Sequence, residues 1–129
     1  MKIMPKEIIS TTTAPQAIGP YSQAIKIGEQ IYCSGQIPLR ANGSMVEGSI
    51  GEQTEQVLIN LRAVLEAAGS SLNDVVKTTI YLVDLGDFAA VNEVYGSYFP
   101  QDPPARVTVG VAALPKGAKV EIEAVAVVK

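Results

Sequence analysis

The spacing of apolar and polar residues along the chain predicts two helices and five or six strands. Apolar residues over 50–68 recur at intervals of three and four, and Gly69 follows them, which is typical of an amphipathic helix and its end. A second apolar stripe, Phe88–Phe99, predicts another helix with Asp87 as its N-cap. Alternating or β-branched segments predict strands at 21–28, 30–38, 75–85, 105–114 and 119–128, with a further short strand within 5–10.

The order of these elements, β-β-α-β-α-β-β, predicts one α+β domain over residues 1–129. Two helices can cover only one face of such a sheet. The other face is not very polar, because its residues in the last strand include Val125 and Val127. We therefore expect a homo-oligomer whose sheets pack with these faces inward.

Composition narrows the classes of partner. The chain of 129 residues is 47% hydrophobic and 18% charged, with a formal net charge of −3 and no basic stripe, so binding to nucleic acid is poorly supported. The chain has no run of 18 apolar residues, so a transmembrane helix is not expected. Its N-terminus lacks the apolar core of a signal peptide. A single cysteine favours a reduced, cytoplasmic setting.

The chain contains no histidine, which restricts its possible chemistry. Ser-His-Asp and Cys-His nucleophile systems are excluded, and a zinc or other His-ligated metal site is not expected. Acid–base chemistry would have to use a carboxylate, a tyrosine, a lysine, a thiol or water.

Charged residues lie inside two of the predicted strands. Strand alternation places Arg106, Thr108 and Gly110 on one face of theirs, while Glu121 and Glu123 share a face of the last strand. If the two strands are close, Arg106 and Glu121 can point into one cleft. Arg106 is then either a structural ion-pair partner of a glutamate or a bidentate receptor for a carboxylate.

Each glutamate also has two interpretations. Glu121 is either a solvated edge residue or, in a partly apolar pocket that raises its pKa, a proton donor and acceptor. The case for a role of Glu123 in proton transfer is weaker, and this residue is interpreted as structural.

Five further positions also have candidate roles. Ser34 and Gly35 in "CSGQIP" form either a turn or a place where a ligand approaches the backbone. Tyr21 either packs half-buried or lines a pocket with its hydroxyl. Asn92 falls within the apolar stripe of the second helix, where an amide needs a hydrogen-bonding partner. Cys33 is expected to be a small buried hydrophobe rather than a nucleophile.

Several segments together resemble the Rid family, also called YjgF or reactive-intermediate deaminase proteins. They are "AIGPYSQA", "SGQIP", "VNEVYGSYF" and above all "PARVTVGVAALPKGAKVEI". Each motif alone is weak, but they occur in the family's order over nearly the whole chain. The resemblance implies a chorismate-mutase-like fold of the bacillus type, with a six-stranded, mostly antiparallel sheet and two helices on one face. It also implies a homotrimer with ligand clefts between subunits.

The resemblance further implies hydrolysis of reactive enamines and imines, such as 2-aminoacrylate and 2-aminocrotonate, to 2-keto acids and ammonia, without a metal or organic cofactor. Arg106 matches the family's carboxylate-binding arginine, and Glu121 matches the glutamate that positions or activates water. The matched pocket residues are Tyr21, Ser34, Gly35 and Asn92. Thr108 stands where many relatives have a cysteine; it can still bind the substrate through a hydrogen bond, but no thiol chemistry is expected there.

Two other functions remain open at this point. The same cleft could hold a small carboxylate or 2-keto acid as a regulatory signal, without turnover. An RNA-directed role, as a ribonuclease or inhibitor of translation, is the other alternative, and the acidic balance of the chain argues against it.

Overall fold

Six strands form a single mixed sheet in the computed structural model, which describes residues 5–129. The strands are β1 (Glu7–Ile9), β2 (Ala24–Ile27), β3 (Gln30–Gln36), β4 (Val75–Leu82), β5 (Ala105–Gly110) and β6 (Val120–Val127). Their order across the sheet is β1-β2-β3-β6-β4-β5. All neighbours are antiparallel except β4 and β5, which are parallel. The prediction of six strands, mostly antiparallel, is confirmed, including the short strand within 5–10.

Both predicted helices are present, as α1 (Ile50–Ala67) and α2 (Phe88–Tyr98). Ser49 and Glu52 form a capping box at the start of α1, and Gly69 follows its end with a φ of 81°. The N-cap prediction for α2 was wrong in its chemistry, because the Asp87 side chain makes no capping hydrogen bond. Within the described residues, neither helix is long and apolar enough to cross a membrane.

The helices pack on one face of the sheet, as predicted. Alternate residues of the central strands, such as Ile31, Ile80 and Ile122, are fully buried beneath α1 and α2. Residues of opposite parity stay partly or largely exposed, and we call their side of the sheet the open face. It carries Tyr32, Val107, Val109, Glu121, Glu123 and Val125.

Two departures from regular pairing position the site. Helix α2 connects the parallel strands β4 and β5. Strand β5 is the last strand of the sheet, so one of its sides is unpaired within the chain. Strand β3 has an irregularity between Cys33 and Gln36, which shifts its register against β6. This bulge includes Ser34 and Gly35, two of the residues predicted to form a site.

Candidate functional site

A cavity of about 470 Å³ opens beside the β3 bulge. Four of the predicted site residues line it, namely Tyr21, Ser34, Gly35 and Glu121. Much of the rest of its wall is apolar, from Pro15, Ala17, Ile18, Ile37, Leu39 and Pro115. The cavity therefore combines a single carboxyl group with an apolar lining, as small-molecule sites commonly do.

The Glu121 carboxyl group lies directly over Gly35. A methyl group added at Gly35 would lie 2.8 Å from the Glu121 Cδ and 3.0 Å from its Cγ, and closer still to Oε2. Gly35 thus makes room for a side chain of its own chain, whereas the sequence left open either a turn or room for a ligand. Burial raises the pKa of Glu121 above its ordinary value, and the nearby Glu123 carboxylate raises it further.

Ser34 and Tyr21 complete the polar edge of the cavity. The Ser34 hydroxyl donates to the Ser22 carbonyl at 2.6 Å, which ties the bulge to the segment before β2. Tyr21 is 54% exposed, so its hydroxyl lines the cavity instead of packing in the core. It accepts a long hydrogen bond of 3.4 Å from the Ile18 amide.

Two buried amide side chains, neither of them singled out from the sequence, hold the cavity walls. Gln23 accepts from the Thr11 amide at 2.7 Å and donates to the Pro15 carbonyl at 2.7 Å. Asn60 of α1 donates to the Leu39 carbonyl at 2.8 Å. Sequence alone does not separate such amides from surface glutamines and asparagines, since only their burial marks them.

Lys116 also lines the cavity and was missed in the sequence. Its φ of 58° is rare for a residue other than glycine. The turn Pro115–Gly117 leads directly toward β6, so Lys116 belongs to the same connection that presents Glu121.

Arg106 lies elsewhere, on the helix side of the edge strand β5. It is paired with the buried Thr78 in the sheet. Its Cζ lies 5.0 Å from the ring centroid of Tyr95 and 5.5 Å from that of Phe88, both on α2. Among residues 5–129, no carboxylate forms an ion pair with the half-buried Arg106 guanidinium.

Two more predicted residues lie beside Arg106. The Thr108 Oγ1 points to the same face, and it is buried without a hydrogen-bond partner among the described residues. Asn92 lies one turn from both Phe88 and Tyr95 on α2, which places it on the stripe that faces Arg106. It is half-buried, so the expected buried amide with an internal partner was not found.

The predicted residues therefore form two half-sites on each chain. The cavity half-site contains Tyr21, Ser34, Gly35 and Glu121, and the arginine half-site contains Asn92, Arg106 and Thr108. The sequence made a shared cleft for Arg106 and Glu121 conditional on their strands being close, and within one chain this condition is not met. Strand β4 separates β5 from β6, and the two side chains point to opposite faces of the sheet. An ion pair of Arg106 with Glu121 or Glu123 is excluded within the chain for the same reason.

The remaining candidates, Glu123 and Cys33, lie outside both half-sites. The Tyr81 hydroxyl donates to the Glu123 carboxylate on the open face. Cys33 is buried, and its burial raises the pKa of the thiol to about 12, which confirms that it is a core residue. In the described part of the chain, no three His, Cys, Asp or Glu side chains are grouped to hold a metal ion.

Comparison with known proteins identifies a family and relatives that match most of the chain. Residues 11–128 match the family described as Endoribonuclease L-PSP. A RutC family protein of Pyrococcus abyssi is 56% identical, over 95% of this chain and 98% of that one. The 2-iminobutanoate/2-iminopropanoate deaminase of Mus musculus is 52% identical, over 95% of this chain and 91% of that one.

A solved structure of a related protein has the same fold. The crystal structure of E. coli TdcF with bound serine superposes with a TM-score of 0.91 at 42% identity, covering 95% of this chain and 99% of that one. Given a family match over 11–128 and relatives more than half identical, the chain belongs to the Endoribonuclease L-PSP family, which is the Rid (YjgF/RidA) family indicated by its motifs.

Proposed function

We propose that this protein hydrolyses reactive α-imino acids, with 2-iminobutanoate and 2-iminopropanoate as typical substrates, to 2-keto acids and ammonia. The observation that carries the proposal is the Glu121 carboxyl group, held half-buried at the wall of the cavity over Gly35. Its raised pKa favours proton exchange nearer to neutral pH than an ordinary glutamate allows. The deaminase name of the 52% identical mouse relative supports the same reaction.

Arg106 is proposed to bind the substrate carboxylate. A guanidinium offers two parallel donors to a carboxylate, and this one has no acidic partner among the described residues to compete with the ligand. The unpartnered Thr108 hydroxyl and the Asn92 amide are placed to contribute further hydrogen bonds to the same ligand.

The proposed reaction needs only water and one carboxyl group. An enamine first tautomerises to its imine in solution. Water then adds to the C=N carbon while Glu121 accepts a proton from that water, and the same carboxyl group returns a proton to the nitrogen. The carboxyl group then transfers the hydroxyl proton of the resulting carbinolamine to its nitrogen, the C–N bond breaks as the C=O bond forms, ammonia leaves, and the 2-keto acid remains. Holding the carboxylate removes much of the orientational barrier to water addition.

The two half-sites require a second chain, because each chain separates its own Arg106 from its own Glu121. We infer that the arginine half-site of one chain closes the cavity half-site of its neighbour, in a ring of three chains. The exposed apolar residues of the open face support burial between chains, since Tyr32 is 46%, Val107 44% and Val109 36% exposed.

The test couples the protein to a source of its substrate. Threonine dehydratase and threonine supply 2-aminocrotonate, and the release of 2-ketobutyrate is followed at dehydratase levels that make hydrolysis limiting. We expect the wild-type protein to accelerate release and Glu121→Gln to reduce that acceleration strongly. Release at the buffer rate with the wild-type protein would refute the proposal.

A binding module is the second candidate, favoured by the serine bound to the related TdcF. A small carboxylate could occupy the same cleft without turnover. Saturable binding of 2-ketobutyrate together with no acceleration of its release would favour this function over the deaminase.

A further inference from the structure

The surroundings of Arg106 are aromatic where an acidic partner would be expected. A half-buried guanidinium usually lies beside a carboxylate, because an unpaired buried charge is unfavourable. Here its Cζ lies over two ring faces of α2, 5.0 Å from the Tyr95 centroid and 5.5 Å from that of Phe88. These distances fall within the range of cation–π attraction, which arises from the negative electrostatic potential of the ring face.

Rings hold a cation in a way that acids do not. A carboxylate partner would neutralise Arg106 and occupy its donors, so an incoming substrate would have to displace it. A ring face attracts the cation while carrying no net charge and accepting no strong hydrogen bond. The guanidinium can therefore be fixed in place and still present its charge and N–H groups to a carboxylate.

The Tyr95 ring is itself rigidly held. Tyr95 is only 5% exposed, and its hydroxyl shares a 2.7 Å hydrogen bond with Thr78 on β4. The Tyr95 ring also packs on Phe99, with ring centroids 4.6 Å apart. Thr78 is the sheet partner of Arg106, so the strand that positions the arginine backbone also fixes the ring beneath its side chain. Phe88, at 39% exposed, lies at the outer end of the same stripe.

We propose that Tyr95, assisted by Phe88, is a positioning residue that holds the Arg106 guanidinium ready to receive a carboxylate. Tyr95 does not touch the substrate in this proposal and acts only through Arg106. The kinetic part of the inference rests on the proposed function, whereas the position of the guanidinium does not.

The first experiment observes the guanidinium without ligand. In ¹H–¹⁵N spectra, the Arg106 Nε–Hε signal is assigned by its loss in Arg106→Lys. We expect a ring-current shift of this signal in the wild type, its retention in Tyr95→Phe, and its movement toward the ordinary arginine position in Tyr95→Leu. Phe99→Leu is the matched control, since it removes a buried ring of the same helix that packs on Tyr95. An unchanged signal in Tyr95→Leu, or an equal change in Phe99→Leu, would overturn the proposal.

The second experiment separates positioning from general stability through KM and kcat. Loss of the Tyr95 ring is expected to raise KM for the imino acid about three- to thirtyfold, the range of one partly desolvated cation–π contact, with kcat reduced less than about threefold. Tyr95→Phe should restore most of the wild-type KM, because it keeps the ring and loses only the bond to Thr78. Equal KM values in Tyr95→Leu and wild type, or a loss confined to kcat, would contradict the positioning role.

The two experiments also separate the two proposals. If the wild-type protein fails to accelerate hydrolysis, the deaminase proposal fails, and the ring-current shift still decides whether Tyr95 holds Arg106. If hydrolysis occurs and the Arg106 signal does not change in Tyr95→Leu, the deaminase proposal is retained and the proposed positioning role of Tyr95 is refuted.

Discussion

Replacing Gly35 by alanine removes the space in which the Glu121 carboxyl group lies. The new Cβ would lie 2.8 Å from the Glu121 Cδ, well inside van der Waals contact, and only Glu121 atoms are so crowded. The glutamate side chain is flexible, so it should swing away and leave the backbone in place. Gly35 has no positive φ, and alanine is therefore compatible with its backbone conformation.

Stability and activity should respond very differently to this substitution. A Glu121 side chain displaced from a staggered rotamer costs about 0.5–1.5 kcal/mol, while the loss of glycine flexibility in the unfolded chain returns about 0.4–1 kcal/mol. The net change is then about 1 kcal/mol or less, or a few degrees in Tm. Moving the proton-exchanging group by even about 1 Å is expected to lower kcat/KM by about a hundredfold.

Gly48→Ala provides a matched control at a residue that does not line the cavity. Its Cβ would also crowd a glutamate, lying 2.6 Å from the Glu52 Cδ in the capping box of α1. We expect Gly48→Ala to lower Tm slightly and leave 2-ketobutyrate release in the coupled assay unchanged. The reasoning is refuted if Gly35→Ala keeps wild-type activity, or if both variants lose activity equally.

Three further outcomes are expected. Arg106→Lys should raise KM at least about tenfold with the assembly intact by light scattering, because an ammonium cannot match a carboxylate bidentately; unchanged kinetics would remove Arg106 from the site. Glu123→Gln removes one of the two causes that raise the pKa of Glu121, so the acidic limb of the kcat profile should move to lower pH, and a limb that stays or rises contradicts this. The Cys33 thiol, whose pKa is about 12, should react with a thiol reagent at pH 8 more than about a hundredfold slower in the native protein than in denaturant; rapid native labelling would show that it is accessible.

Most of the elements could be predicted from the sequence because their patterns are local. The stripe over 50–68 and the glycine at 69 placed α1 correctly, and alternation placed Arg106 and Thr108 on one face of β5. The pairing of strands was not predictable in this way. Whether Arg106 faces Glu121 depends on β4 lying between β5 and β6 and on the parity of both pairings, which are set by tertiary packing.

The site was predictable only where residue type itself carries chemistry. Arg106 and Glu121 were unusual as charges inside apolar strands, and that signal was sufficient to single them out as candidates. Gln23 and Asn60 gave no such signal, since an amide reveals its role only through the backbone groups that surround it. Tyr95 was predicted to be a residue of the apolar face of the second helix. Its contact with Arg106 could not be predicted, because Arg106 belongs to a strand that follows later in the chain.

The opposite orientation of Arg106 and Glu121 in one polypeptide has a consequence for how the protein would work at low abundance. If catalysis needs a cation from one copy and a carboxyl group from the next, specific activity falls when the protein is diluted below the dissociation constant of the assembly. Two impaired variants, Gly35→Ala and Arg106→Lys, would then complement one another when refolded together, since about one quarter of randomly formed clefts would contain neither defect.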